Sequence, residues 1–176
     1  MIRRTGCFVT VAFLLWTFFS SCSPRPPVPT VTVLGVMRSE WESGASGILR
    51  TRSVAPDDPA HLTDALLSVL YGESARGWLT AHEGEVPLIN DAALWLSVGK
   101  HPYELAVFRC SDARGTATAA AICRARLDSV RRAWQGDEWS DVLERAIVAV
   151  EQEYVLLIIA PDSEALLRIA RRAIRS

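Results

Sequence analysis

Apolar and polar positions divide the chain into an N-terminal leader, a broken middle stretch and a patterned C-terminal two-thirds. Leu62, Leu66, Val69 and Leu70 recur at helical spacing before Gly72, which predicts a helix from about His61 to Tyr71. Ala92 to Val98 is a short apolar run closed by Gly99, and it predicts a strand. Beyond the break at His101-Pro102, Tyr103 to Arg109 predicts a second strand. Asp112 stands where it can cap a long helix reaching about Trp134. The apolar stripe of that helix, Thr116, Ala120, Cys123, Leu127, Val130 and Trp134, alternates steps of three and four. Arg145 to Val150 and Tyr154 to Ala160 predict two strands joined through Glu151-Gln152-Glu153, a connection short enough for a hairpin. The second of these strands is apolar at every position, so both its faces should be covered. Pro161-Asp162-Ser163-Glu164 opens a final helix in which Glu164 and Arg168 are spaced as an i,i+4 pair.

Helix, strand, strand, helix, strand, strand, helix is the order expected of an α+β fold. It predicts a small four-stranded, mostly antiparallel sheet with two long helices on one face, a ββα-ββα core, and an N-terminal helix that can cover part of the other face. Residues 59–176 carry this domain. Residues 22–58 read as a Pro-rich stalk followed by a loop or hairpin region. The four prolines from Pro24 to Pro29 favour extended polyproline geometry, and Thr30 to Val36 could pair with Gly47 to Val54.

The leader changes the picture most. Arg3-Arg4 supplies a cationic start, and Cys7 to Phe19 is apolar apart from two threonines. Thirteen helical residues span about 20 Å, short of a bilayer core of about 30 Å, which is the size of a secretory signal rather than a membrane span. Phe19-Ser20-Ser21-Cys22 follows. This segment resembles a bacterial lipoprotein signal, with Phe19 where Leu is usual. The resemblance implies cleavage between Ser21 and Cys22, with residues 1–21 lost as a signal peptide. It also implies attachment of Cys22 to the membrane through a diacylglyceryl group, whose two acyl chains give stable anchoring.

Glu104-Leu105-Ala106-Val107-Phe108-Arg109, the helix after it, and Glu153-Tyr154-Val155-Leu156-Leu157-Ile158-Ile159 resemble a family of small bacterial lipoproteins, domain of unknown function 4358. The resemblance spans roughly residues 60–176. Where that family typically shows Gly-Asn before the later strand, this chain has Gln152-Glu153, which questions the left-handed turn expected there. The resemblance implies extracytoplasmic membrane attachment and carries no activity with it.

Composition adds exclusions. The chain has 176 residues with 19 basic and 20 acidic side chains, and after loss of Arg3 and Arg4 the acidic groups lead by three. That balance gives no reason to expect nucleic acid as a partner. Eighteen of the basic residues are arginine, Lys100 being the single lysine. Gly72-Glu73-Ser74-Ala75-Arg76-Gly77 misses the spacing of a nucleophile elbow, and Val86 stands where His82-Glu83 would need a second histidine for a zinc helix. His61, His82 and His101 are far apart in sequence, and Asp137, Glu138, Asp141 and Glu144 lack the ligand order of a calcium loop. No metal or cofactor is expected. Cys110 and Cys123 could close a disulfide in an exported domain, but Cys123 lies on the apolar stripe, and two free buried thiols fit the pattern better. Glu104 beside Tyr103 is the carboxylate best placed to touch a ligand. The expected function is that of a lipoprotein on the extracytoplasmic face of the cell membrane, binding an envelope protein or a small ligand without catalysis. The alternative is an envelope hydrolase or transferase with a site assembled around Glu104 and the histidines.

Overall fold

The computed structural model describes residues 26–41, 45–75, 77–79, 87–136 and 138–176. Its centre is a five-stranded sheet of β1 (Gly47–Thr51), β2 (Ile89–Ser97), β3 (Glu104–Cys110), β4 (Ile147–Glu151) and β5 (Tyr154–Ile159). The strands lie in the order β1-β2-β3-β5-β4, and every neighbouring pair is antiparallel. The helices are α1 (Thr30–Ser39), α2 (Asp64–Tyr71), α3 (Ala113–Ala133), α4 (Ser140–Glu144) and α5 (Ser163–Arg175).

The α+β class holds, while the arrangement differs from expectation in three ways. The sheet has a fifth strand, β1, which pairs with β2 from Gly47↔Ser97 to Thr51↔Ala93. The two long helices do not share a face. Glu104 of β3 meets α2 and α3, whereas Glu151 and Tyr154, paired across the β4–β5 hairpin, meet α5 and the segment leading into α1. The molecule is therefore a three-layer sandwich, α1 and α5 on one face and α2 and α3 on the other. The reason lies in β5, whose six residues are all buried. A strand apolar on both faces at the middle of a sheet needs a helix on each.

The third difference is at the N-terminal side. Thr30 to Val36 does not form a hairpin with Gly47 to Val54; it is the first turns of α1. Valine and threonine in alternation suit a strand, but Val33, Leu34, Met37 and Trp41 fall on one helical face and are buried together. The first N–H group of this helix, which has no partner within the helix, finds a distant one. Thr30 N donates to Asp91 Oδ2 of β2 at 2.8 Å, a cap supplied from 61 residues away. Residues 30–41 and 47–51, expected in the stalk and loop region, are thus built into the sandwich.

Asp112 caps α3 through Gly115 N and Gly72 ends α2 at φ 90°, both as expected. The expected face of α2 differs: Thr63 caps the helix through Leu66 N, Val69 is 79% exposed, and Leu67, Ser68 and Tyr71 are the buried residues. The stripe Thr116, Ala120, Cys123, Leu127 and Val130 is buried. The β4–β5 hairpin pairs Glu151 with Tyr154 across a two-residue loop, and Gln152 takes φ 56°. The left-handed turn survives without glycine or asparagine.

Candidate functional site

Glu104 begins β3 opposite Leu96 of β2 and Ile159 of β5, so its side chain enters the layer between sheet and α2–α3. It is only 2% exposed. A carboxylate there requires partners, because removing a charge from water costs several kcal/mol. Two elements supply them. Tyr71, the last residue of α2, donates its hydroxyl to Oε1 at 2.6 Å. Arg126 of α3 donates from Nε at 3.0 Å and Nη2 at 2.8 Å, both to Oε2. The guanidinium carbon lies 6.0 Å from the Tyr71 ring centroid, and Tyr71 in turn meets Phe108 edge to face at 5.5 Å.

This network sets its own electrostatics. Burial, and then the charge of Glu104, hold the Tyr71 hydroxyl well above the usual phenol range, so it stays a donor. Burial works against the charge on Arg126, but the adjacent carboxylate outweighs it and raises the guanidinium pKa. Glu104 is thereby ion-paired and bonded on both oxygens, an arrangement that fixes the orientation of the carboxylate.

Arg126 also faces outward. With Glu104, Tyr103, His101, Ser129 and Trp134 it lines a cleft of about 180 Å³ at the end of the sheet where β2 passes to β3. Tyr103 leads an aromatic group above it. His101 stacks on Tyr103 with centroids 5.1 Å apart, and Trp139 and Trp41 meet Tyr103 edge-on, each at 5.4 Å. Trp41 also packs on Trp95, with the Arg38 guanidinium 4.1 Å from the Trp95 ring. Burial, with Glu138 nearby, raises the Tyr103 pKa and keeps its hydroxyl protonated. His101 Nδ1 is buried with no hydrogen-bond partner among the described residues.

The sequence-derived candidates are thus partly brought together. Tyr103 and Glu104 line one cleft with His101. His61 does not join them: it bridges Thr51, which pairs with Ala93, while His101 follows Ser97, so about 13 Å of strand separates the two levels. Its Nδ1 meets Val54 O at 3.0 Å. His82, Ser21 and Cys22 lie outside the described residues, as does Asp137 of the acidic group. Among the described residues no cluster of three or more His, Cys, Asp or Glu side chains could hold a metal ion. Cys110 and Cys123 are both buried and both free. Burial pushes the Cys110 thiol up to about 11 and the Cys123 thiol well above its ordinary value. Neither is poised as a nucleophile.

Sequence reasoning missed Tyr71 and Arg126, which stand 33 and 22 residues from Glu104. Arg126 did carry a signal. It follows Cys123 by three positions and precedes Val130 by four, so it borders the buried stripe rather than sitting opposite it. No family model, no curated protein and no solved structure matches this chain. What the cleft can do therefore rests on the chemistry of its own residues.

Proposed function

We propose that the chain is an extracytoplasmic lipoprotein, held on the cell membrane through a diacylglyceryl group on Cys22, whose sandwich domain is a non-catalytic binding module of the cell envelope. The observation that carries the binding half is the Glu104–Arg126–Tyr71 network, which engages both oxygens of the buried carboxylate while leaving Arg126 on a cleft. The anchoring half rests on the leader residues, Phe19-Ser20-Ser21-Cys22 after the apolar run. Among the described residues no helix is long and apolar enough to cross a membrane.

The two halves fit geometrically. The described chain enters at Pro26 to Val28, where Val28 O accepts from the Tyr154 hydroxyl at 2.7 Å. Tyr154 pairs with Arg109, whereas Glu104 pairs with Ile159 five residues along the same ladder, about 17 Å away. Four residues from Cys22 to Pro26 reach no more than about 14 Å even when extended. An anchor at Cys22 would keep the hairpin end near the bilayer and turn the cleft outward.

The enzyme alternative draws support from His101 and Glu104 sharing the cleft. It is the weaker reading, because the carboxylate is turned toward Tyr71 and Arg126 and bonded to both. Mass spectrometry of the native product tests the anchor: a chain beginning at a diacylglyceryl-modified Cys22 is expected. Retention of Met1, or an unmodified Cys22, would refute it.

A further inference from the structure

A guanidinium presents two edges for paired hydrogen bonds, one formed by Nε and Nη2 and the other by Nη1 and Nη2. In Arg126 the first edge is closed by Glu104 Oε2. Nη1 bonds to no described residue, and the Arg126 side chain is 22% exposed against 3% for Glu104. The second edge is therefore the open one, on a residue that lines the cleft. Ser129, one helical position pair further along α3, stands exposed on the same lining with no described partner for its hydroxyl.

Pro102, Tyr103, Val130, Ala133 and Trp134 give apolar or aromatic wall, and His101 and Ser97 add polar groups, the Ser97 hydroxyl already donating to His101 O at 2.6 Å. The one carboxylate of the cleft already accepts from Tyr71 on Oε1 and from Arg126 on Oε2, and its charge balances the inner edge of the guanidinium. The site therefore combines the open donors of Arg126 and Ser129 with aromatic and apolar side chains. Its volume of about 180 Å³ equals that of about six water molecules, which limits a ligand to one small group.

We propose that this cleft binds a small carboxylate-bearing ligand with a compact apolar body, the carboxylate seated on the Nη1–Nη2 edge of Arg126 and within reach of Ser129, the body against Tyr103 and Trp134. This rests on the binding-module reading above and adds the ligand class. Glu104 then acts as a positioning residue: it fixes the plane of the guanidinium so that the second edge is preorganised.

Benzoate is the probe, and ligand-observed NMR titration of the full-length protein in detergent is the measurement. Saturable binding with a dissociation constant on the order of 1 mM is expected for a ligand of this size. Benzamide, the neutral isostere, should bind about tenfold or more weakly. Ala133→Trp, at an exposed helical position on the cleft wall, should fill the cleft without disturbing the core and weaken benzoate by about tenfold. Arg126→Lys keeps a cation for Glu104 but has no second edge, and should weaken benzoate similarly while the protein still unfolds cooperatively. Absence of saturable binding, equal affinity for benzoate and benzamide, or indifference to Ala133→Trp would overturn the proposal. Glucose binding that Ala133→Trp abolishes would also overturn it, while leaving a binding cleft in place. Cys22 processing is read separately by mass, so failure of the anchor and failure of the ligand class are distinguishable.

Discussion

Arg126→Met tests the central network most directly. The substitution preserves much of the side-chain volume and helix propensity but removes two charge-assisted hydrogen bonds, of 3.0 and 2.8 Å, from Glu104 Oε2. Glu104 is left 2% exposed with the Tyr71 hydroxyl alone. An orphaned buried charge of this kind costs about 3–5 kcal/mol. For a domain of this size that corresponds to a fall in Tm of roughly 6–20 °C. The double variant Glu104→Gln/Arg126→Met removes both charges and should recover most of the loss, because a neutral side chain needs no cation. Guanidinium denaturation followed by tryptophan fluorescence reads both variants. A single variant that loses less than about 1 kcal/mol, or a double variant as unstable as the single, would show that Glu104 and Arg126 are not coupled as described.

Two further predictions follow from other parts of the sandwich. The folded chain holds protons on Cys123, Cys110 and Tyr71 that the unfolded chain would release in the alkaline range, chiefly because all three are buried. Their stabilising contribution is complete below pH 9.0 and is lost as pH rises through the raised folded values, with Cys110 titrating at about 11. Denaturation midpoints should therefore fall between pH 8 and pH 10, about one unit either side of the ordinary thiol value of 9.0, and a flat profile would contradict the burial of the thiols. Asp91→Ala removes the acceptor for Thr30 N, at 2.8 Å, and should cost about 0.5–2 kcal/mol, with hydrogen exchange rising first in α1. Unchanged protection at the start of α1 would show that the distant cap contributes nothing.

How far the fold could be read from residues alone varied with the range of the interactions involved. The cap at Asp112, the stop at Gly72 and the buried stripe of α3 are all decided within one or two helical turns, and they were legible. α1 was not. Its valines and threonines suit a strand locally, and what made it a helix was burial of Val33, Leu34, Met37 and Trp41, together with a carboxylate contributed by β2. The site divided in the same way. Tyr103 and Glu104 are neighbours at a strand start and could be singled out together, whereas Tyr71 and Arg126 reach Glu104 only because α2 and α3 pack on the same face of the sheet.

From its residues alone, the chain determined its α+β class, the antiparallel hairpins and the covering of both faces of β5, because periodicity and turn chemistry act locally. Tertiary structure alone decided that α3 and α5 lie on opposite faces, that β1 extends the sheet, and that a carboxylate, a guanidinium and a phenol from three elements meet in one layer. The physical reason is that burying a charge commits distant groups to one geometry, and no spacing along the chain encodes which side of a sheet a returning helix will cover.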